Sequence, residues 1–264
     1  MYDFNHHRPA SVEDAAKALA GASDGKIMAG GQTLIPTLKQ RLASPSDIVD
    51  LGGIAALKGI KEEGGSIVIG AMTTHATVAR DATVKAKIPA LAALADGIGD
   101  AQVRNRGTIG GSIANNDPAA DYPAALVGLG ATVHTSKRDI PAEEFFTGLF
   151  ETALEEDEIV TVVSFPVPEK AGYAKFANPA SRYAIVGVMV SRGAGGVRVA
   201  VTGAGPCVYR LSDAESALGG NFSADAVANI SVSSDGLNSD LHASADYRAN
   251  LVGVMLKRAV AAAG

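Results

Sequence analysis

Apolar residues recur with helical spacing at Val12, Ala15, Ala16 and Leu19, directly after Ser11 and before Gly21. The Ser11 hydroxyl suits a free N–H, Asp14 suits the positive end of a helix dipole and Gly21 is a stop, so the pattern predicts a helix there. The apolar run "KIMA" predicts a strand, and Leu34, Ile35, Leu38 and Leu42 predict a helix with Pro36 tolerated in its first turn. "DIVDL" reads as the next strand. Residues 26–51 thus read strand, loop, helix, strand, with Gly30-Gly31 at the first junction. "IKEEGGSIVIGAMTT" predicts a hairpin turning at Gly64-Gly65, followed by helical patterns over about 74–84 and 88–95. The stretch "RGTIGGSIANNDPAADYP", Arg106 to Pro123, is too rich in small residues for a good helix and too polar for a core strand. An apolar helix from Tyr122 to about Leu129 and the strands "ATVHT" and "EIVTVVSFPVP" follow. "YAIVGVMVS" and "VRVAVTG", separated by "RGAGG", read as an antiparallel pair. Three helices are expected near 212–218, 223–229 and 244–262. Ser244 caps the last, whose apolar face is Leu251, Val254, Met255 and Val260. Two prolines and a change of composition place a domain boundary at 166–168.

The 264 residues have room for one large domain or two modest ones, and 47% hydrophobic content supports a core although there is no Trp. A net charge of −5 without any Lys/Arg run argues against a nucleic-acid partner. The start "MYDFNHHRPASVEDAAKAL" lacks a basic segment followed by an apolar one, and no apolar stretch approaches the ~20 residues needed to span a bilayer. The expectation is a cytoplasmic protein without a transmembrane segment. A single cysteine, Cys207, excludes an internal disulfide framework and a cysteine-ligated iron–sulfur cluster made by this chain alone.

"AGGQT" (Ala29, Gly30, Gly31, Gln32, Thr33) and "TIGGS" (Thr108, Ile109, Gly110, Gly111, Ser112) are one device used twice, about 80 residues apart. Glycine lets successive N–H groups converge without Cβ interference, and a helix starting at Leu34 adds a positive dipole end. Two such turns suit a pyrophosphate held from both sides. Neither is G-x-G-x-x-G and no G-x-x-x-x-G-K-[ST] is present, so Rossmann and P-loop readings fail at the motif level.

In order and spacing, "AGGQTLIPTLKQRLASPSDIVDL" and "VRNRGTIGGSIANNDPAADYPAAL" resemble the two flavin-binding loops of the FAD-carrying medium subunits of molybdenum hydroxylases, the carbon monoxide dehydrogenase and xanthine dehydrogenase family. The likeness runs from "FNHHRPASVEDA" through "IVIGAMTTHATV" to "YRANLVGVMLKRAV". It implies that residues 29–33 and 108–112 lie along the FAD diphosphate. Gln32 stands where the family often has His or Asn, and keeps the ability to hydrogen-bond. The resemblance further implies Asp121 on the adenosine part, and Ile98 and Tyr183 against the isoalloxazine.

It implies an α+β fold: a two-lobed FAD-binding domain of the vanillyl-alcohol-oxidase-like type over 1–165 (lobes about 1–57 and 58–165). A C-terminal domain over 166–264 would have a small antiparallel sheet packed by helices. The implied function is electron transfer from 2Fe-2S clusters on a small subunit, through FAD, to NAD, a quinone or another acceptor. Molybdopterin would sit on a large subunit that sets the substrate, in a dimer of heterotrimers. No catalytic residue and no metal ligand are then expected in this chain. Two rivals remain open, a stand-alone flavin oxidase and an assembly subunit that has lost FAD.

Other residues offer less. His6-His7 point to opposite faces of a strand and lack metal-ligand company. Cys207 reads as a packed thiol, Asp117 as a helix-entry turn with Pro118, and "EEDE" at 155–158 as a solvated turn. Arg104 and Arg106 flank the second glycine pair, open to pairing with phosphate, with an acidic neighbouring subunit or with water alone, and a subunit or structural role is the expectation.

Overall fold

The computed structural model describes residues 1–264. β1 (Asn5–His7), α1 (Val12–Ala20), β2 (Gly25–Met28), α2 (Leu34–Lys39) and β3 (Asp47–Asp50) alternate, and the strands form a parallel sheet in the order β1-β3-β2. α1 starts as its sequence dictates: Ser11 Oγ accepts the Asp14 N–H, and Ala15 and Leu19 are buried. α2 stops short of Leu42, because Arg41 turns left-handed (φ 59°) and Leu42 is left 74% exposed.

β4 (Ile60–Glu63) and β5 (Ser66–Gly70) form the expected hairpin across Gly64-Gly65, both at positive φ. The helical pattern over 74–84 is two helices, α3 (His75–Arg80) and α4 (Ala82–Lys87). Asp81 divides them, its carboxylate accepting the Thr83 and Val84 N–H groups at 2.9 Å. α5 (Pro89–Asp96), α6 (Ala101–Arg106), α7 (Ile109–Asn115) and α8 (Tyr122–Leu129) complete a helical layer. β6 (Thr132–Thr135), β7 (Asp139–Pro141), α9 (Ala142–Phe145), β8 (Phe146–Gly148), β9 (Glu151–Thr152) and β10 (Val160–Pro166) follow. The second sheet is antiparallel, ordered β4-β5-β10-β6-β7. Its inner face, with Ile67, Ile69, Val163 and Phe165, packs with Leu91, Tyr122 and Leu126 of the helices into the largest core.

β11 (Lys170–Ala177), β12 (Ala184–Gly193), β13 (Gly196–Thr202) and β14 (Tyr209–Arg210) make an antiparallel meander. α10 (Ser212–Gly220) and α11 (Ala245–Ala262) join it in a second core around Val188, Val199, Leu218, Val252 and Met255. The helix expected over 223–229 is only a three-residue 3-10 turn, Asp225–Val227, although Val227 is fully buried in the second core and Phe222, Ala226 and Ile230 pack against it. Of the face expected on α11, Leu251, Met255 and Val260 are buried and Val254 is half-buried.

α8 lies against β12 and β13. A Cβ on Gly128 would stand 2.7 Å from Met189 Cγ, and Ser191 Oγ donates to Gly128 O at 2.6 Å. Met189 and Ala200 thereby belong to the core of the second sheet. The fold is mixed α and β, and no helix is long and apolar enough to cross a membrane.

Candidate functional site

Three parts of the fold enclose a cavity of about 720 Å³: the β2–α2 junction, the α5–α8 layer, and the loop between β11 and β12. Of the residues expected to touch a dinucleotide, Ala29, Gly30, Gly31, Gln32, Thr33, Ile98, Thr108, Gly110, Gly111, Ser112, Asp121 and Tyr183 line it. Ile109 does not. It is fully buried and its N–H donates to Thr73 O at 3.1 Å, so it anchors α7 to the loop after β5.

The two glycine pairs meet, but they do different work. In the first, Gly31 is left-handed (φ 74°) and the chain turns so that the N–H groups of Ala29, Gly30, Gly31, Gln32 and Thr33 find no acceptor within the chain. Five consecutive donors without a partner, on residues that all line the cavity, are groups that an anionic ligand would satisfy. A Cβ on Gly30 would land on the Arg106 carbonyl oxygen, 2.9 Å from Gly107 Cα, and a Cβ on Gly111 would stand 3.1 Å from the Ala29 methyl. Bareness here brings the two turns into van der Waals contact.

The second pair is not a loop. It forms the first turn of α7, capped by Thr108 Oγ1, which accepts the Gly111 N–H at 3.1 Å. Gly110 N–H donates to Ala71 O at 2.9 Å, and a Cβ on Gly110 would stand 2.6 Å from the Ala71 methyl. Gly110 thus serves helix packing, while Thr108 keeps a free N–H at the cavity. The poor helix propensity of "TIGGSIAN" is overridden by the cap and by burial of Ile109 and Ile113.

At the other end, Ile98 lies in the α5–α6 turn, where Arg104 Nη1 binds the Ile98 and Gly99 carbonyls at 3.0 and 2.9 Å. Arg104 is therefore structural. Tyr183 is 46% exposed, and burial with the nearby Asp117 and Asp121 charges pushes its hydroxyl pKa up. Asp121, at the start of α8, is buried. Its carboxylate accepts from Tyr173 Oη at 2.6 Å and pairs with Lys175 Nζ at 2.9 Å. Burial pushes its pKa up, while Lys175 and Tyr173 pull it back. Asp117 Oδ1 accepts the Ala119 N–H at 2.9 Å, the turn its Asp-Pro sequence predicts.

Residues that sequence reasoning missed also line the cavity, among them His75 and Glu158. The "EEDE" segment is only partly a solvated turn. Glu158 is 2% exposed and accepts from Arg138 Nε at 3.1 Å, Thr135 Oγ1 at 2.7 Å and the Glu155 N–H at 3.0 Å. Burial pushes its pKa up, but these partners outweigh it and hold it at about 2.

His75 is 5% exposed, its Nδ1 has no partner, and its ring centroid stands 5.3 Å from that of Tyr122. Burial, with a smaller push from the Arg104 charge, lowers its pKa from 6.5 to about 4. The unfolded chain takes this proton near pH 6.5 and the folded chain only near 4. Its contribution to stability is therefore full above 6.5 and is lost as pH falls through that window, by at most about 1.4 kcal/mol per pH unit. Urea unfolding should show this group costing about 1 kcal/mol between pH 6 and 5 and about half of that between pH 7 and 6. His75→Gln should remove that cost, and an unchanged slope would contradict the burial of a neutral ring.

A second cavity of about 460 Å³ shares Asp117, Ser181 and Tyr183 with the first and is bordered by Leu149, Phe150, Asn178 and Arg248. Leu149 and Phe150 are more than half exposed, and Phe150 is left-handed (φ 56°).

Comparison with known proteins bears on what the first cavity holds. Residues 2–168 match the family described as the FAD binding domain in molybdopterin dehydrogenase. The chain is 38% identical to the nicotine 6-hydroxylase medium subunit of Paenarthrobacter nicotinovorans, over 97% of this chain and 95% of that one. It is 36% identical to the carbon monoxide dehydrogenase medium chain of Hydrogenophaga pseudoflava, over 98% and 96%. Among solved structures, a carbon monoxide dehydrogenase from Hydrogenophaga pseudoflava superposes with a TM-score of 0.89 at 38% identity, covering 98% of this chain and 96% of that one. Quinoline 2-oxidoreductase from Pseudomonas putida 86 gives 0.89 at 30% identity, over 99% and 96%.

Proposed function

From a chain that belongs to the FAD-binding medium subunits of molybdenum hydroxylases, we propose that the free amides of Ala29–Thr33 grip the FAD diphosphate, with the α7 turn closing on it. The protein is the FAD-carrying electron-transfer subunit of a multi-subunit oxidoreductase. In this family molybdenum and iron–sulfur centres belong to other subunits.

The run of five unpaired N–H groups carries the reading of the site. Its fit to FAD also rests on the Gly30 and Gly111 positions, where a side chain would fill the cradle or force the turns apart. Gln32, Thr33, Thr108 and Ser112 border the same path, and Thr33 makes no side-chain bond within its own helix. Ile98 and Tyr183 wall the ring end; Asp121, which the family resemblance assigns to the adenosine part, is tied through Lys175 to the two loops that carry those walls and is read with that end instead. Bound FAD supplies one-electron and two-electron exchange at one site. The chain's own residues bind it, orient the ring and exclude water from it.

The finer architecture follows the same reading: residues 1–165 form a two-lobed, vanillyl-alcohol-oxidase-like unit and 166–264 a C-terminal unit. The partners are a molybdopterin-binding large subunit and a 2Fe-2S small subunit in a dimer of heterotrimers. The external acceptor approaches through the second cavity, which reaches the ring end at Tyr183.

Elemental and flavin analysis tests the assignment. The purified complex should hold molybdenum, iron and one FAD per copy of this chain, and the separated chain should rebind FAD while carrying neither metal. A native complex without flavin would return the reading to an assembly subunit. Substrate-driven flavin reduction by the chain alone would favour a stand-alone oxidase.

A further inference from the structure

Lys175 lies in the middle of β11 with only 9% of its side chain exposed, and lysine is rarely buried without partners. Its ammonium has oxygen acceptors from three separate segments. Gly97 O stands at 2.9 Å, Arg182 O at 2.9 Å, and the Asp121 carboxylate oxygens at 2.9 and 3.1 Å. Three donors meet three partners, so the group is satisfied. Gly97 begins the turn that carries Ile98, Arg182 precedes Tyr183, and Asp121 opens α8.

Other links tie these segments in pairs or singly, among them the bond from the Ala184 N–H to Ala119 O at 3.1 Å. Arg182 Nη1 reaches Gly99 O at 3.3 Å, and Arg104 holds the Ile98 turn from its own side. Lys175 reaches all three. Arg182 is left-handed (φ 64°), a disfavoured conformation for a non-glycine residue that its surroundings must hold. The bond from Lys175 to its carbonyl is one such hold.

Resting on the reading of Ile98 and Tyr183 as ring walls, we propose that Lys175 is a positioning residue for the flavin: one ammonium fixes the spacing of the loops bearing the two walls and orients Asp121 between them. Its bonds to Gly97, Arg182 and Asp121 place its action at the ring end of the cavity and not on the diphosphate grip at Ala29–Thr33.

Lys175→Met, prepared as the FAD-loaded full chain, should retain one FAD per chain. The visible circular dichroism of the bound flavin should change and its midpoint potential should move. Amide exchange at Ile98 and Arg182 should accelerate at least tenfold, with the β5–β10 amides unchanged, and Lys175→Arg should restore most of each signal. If Lys175→Met fails to fold, the double variant Lys175→Met with Asp121→Asn leaves no lone buried charge and is read in the same way. Unchanged loop exchange, with FAD bound as in the wild type, would overturn the role of Lys175 alone. Loosened loops around a flavin of unaltered spectrum and potential would overturn the proposal by removing Ile98 and Tyr183 from the ring. A wild-type chain that binds no FAD, with loop exchange responding to Lys175→Met, would retire the functional reading and leave Lys175 only a loop clamp, so the positioning role would fall with it.

Discussion

Gly30→Ala should lower FAD affinity at least 100-fold, equivalent to about 2.7 kcal/mol. The added methyl would meet the Arg106 carbonyl group and Gly107 Cα, at 2.8 Å from the carbonyl carbon and 2.9 Å from Cα. These are backbone atoms, so no rotamer change relieves the clash. The β2–α2 turn must back away from the α6–α7 junction, which carries the free amides of residues 29–33 away from Thr108. Overpacking of this kind costs about 1–3 kcal/mol of stability in addition. Gly31→Ala should do less: its φ of 74° strains any L side chain, but the atom it meets, Ile35 Cδ1, is the movable end of a side chain. Gly219→Ala, whose Cβ would meet nothing within 4 Å, is the control and should leave binding unchanged. Flavin-fluorescence titration of the three variants ranks them. A Gly30→Ala chain with wild-type affinity would mean the contact between the turns is irrelevant to the cofactor.

Asp121→Ala should destabilise the fold by about 3–5 kcal/mol, the usual cost of removing one partner of a buried ion pair. Lys175 would lose its counter-charge and the Tyr173 hydroxyl its acceptor, in a site where both groups of the ion pair are less than a tenth exposed. For a chain of this size the melting temperature should fall by roughly 10 °C. Asp117→Ala removes one acceptor for the Ala119 N–H and should cost about 1 kcal/mol. FAD retention should follow the same order. Scanning calorimetry of both variants decides it, and equal losses would mean that the Lys175 charge is solvated in the folded chain and not paired.

Much of the site was legible because its signals are local. Gly30-Gly31 sits between an apolar run and a helical pattern, and the free amides follow from that turn. Ser11, Gly64-Gly65 and Ser244 likewise act through neighbours within a few residues. What escaped depends on distant partners. "TIGGSIAN" has weak intrinsic helicity and becomes α7 because Ala71 and Thr73, some 40 residues earlier, take its first N–H groups. Glu158 looks like any residue of an acidic run until Arg138 and Thr135 close over it across the second sheet. Lys175 carries no local signal at all, and its contacts emerge only when β11 brings it to Asp121 and Gly97. The expected helix over 223–229 shrinks to one 3-10 turn even though Val227, Phe222, Ala226 and Ile230 all pack on the second core, so its apolar pattern marks burial and not helix length.

The most direct measurement is a ¹H–¹⁵N correlation spectrum of the deuterated chain, recorded with and without FAD. A diphosphate gripped by the turn should give large downfield shifts and slowed exchange for the amides of Ala29, Gly30, Gly31, Gln32 and Thr33, with Gly110, already bonded to Ala71, little changed. Stoichiometric FAD binding that leaves those five amides where they stand in the free chain would contradict it.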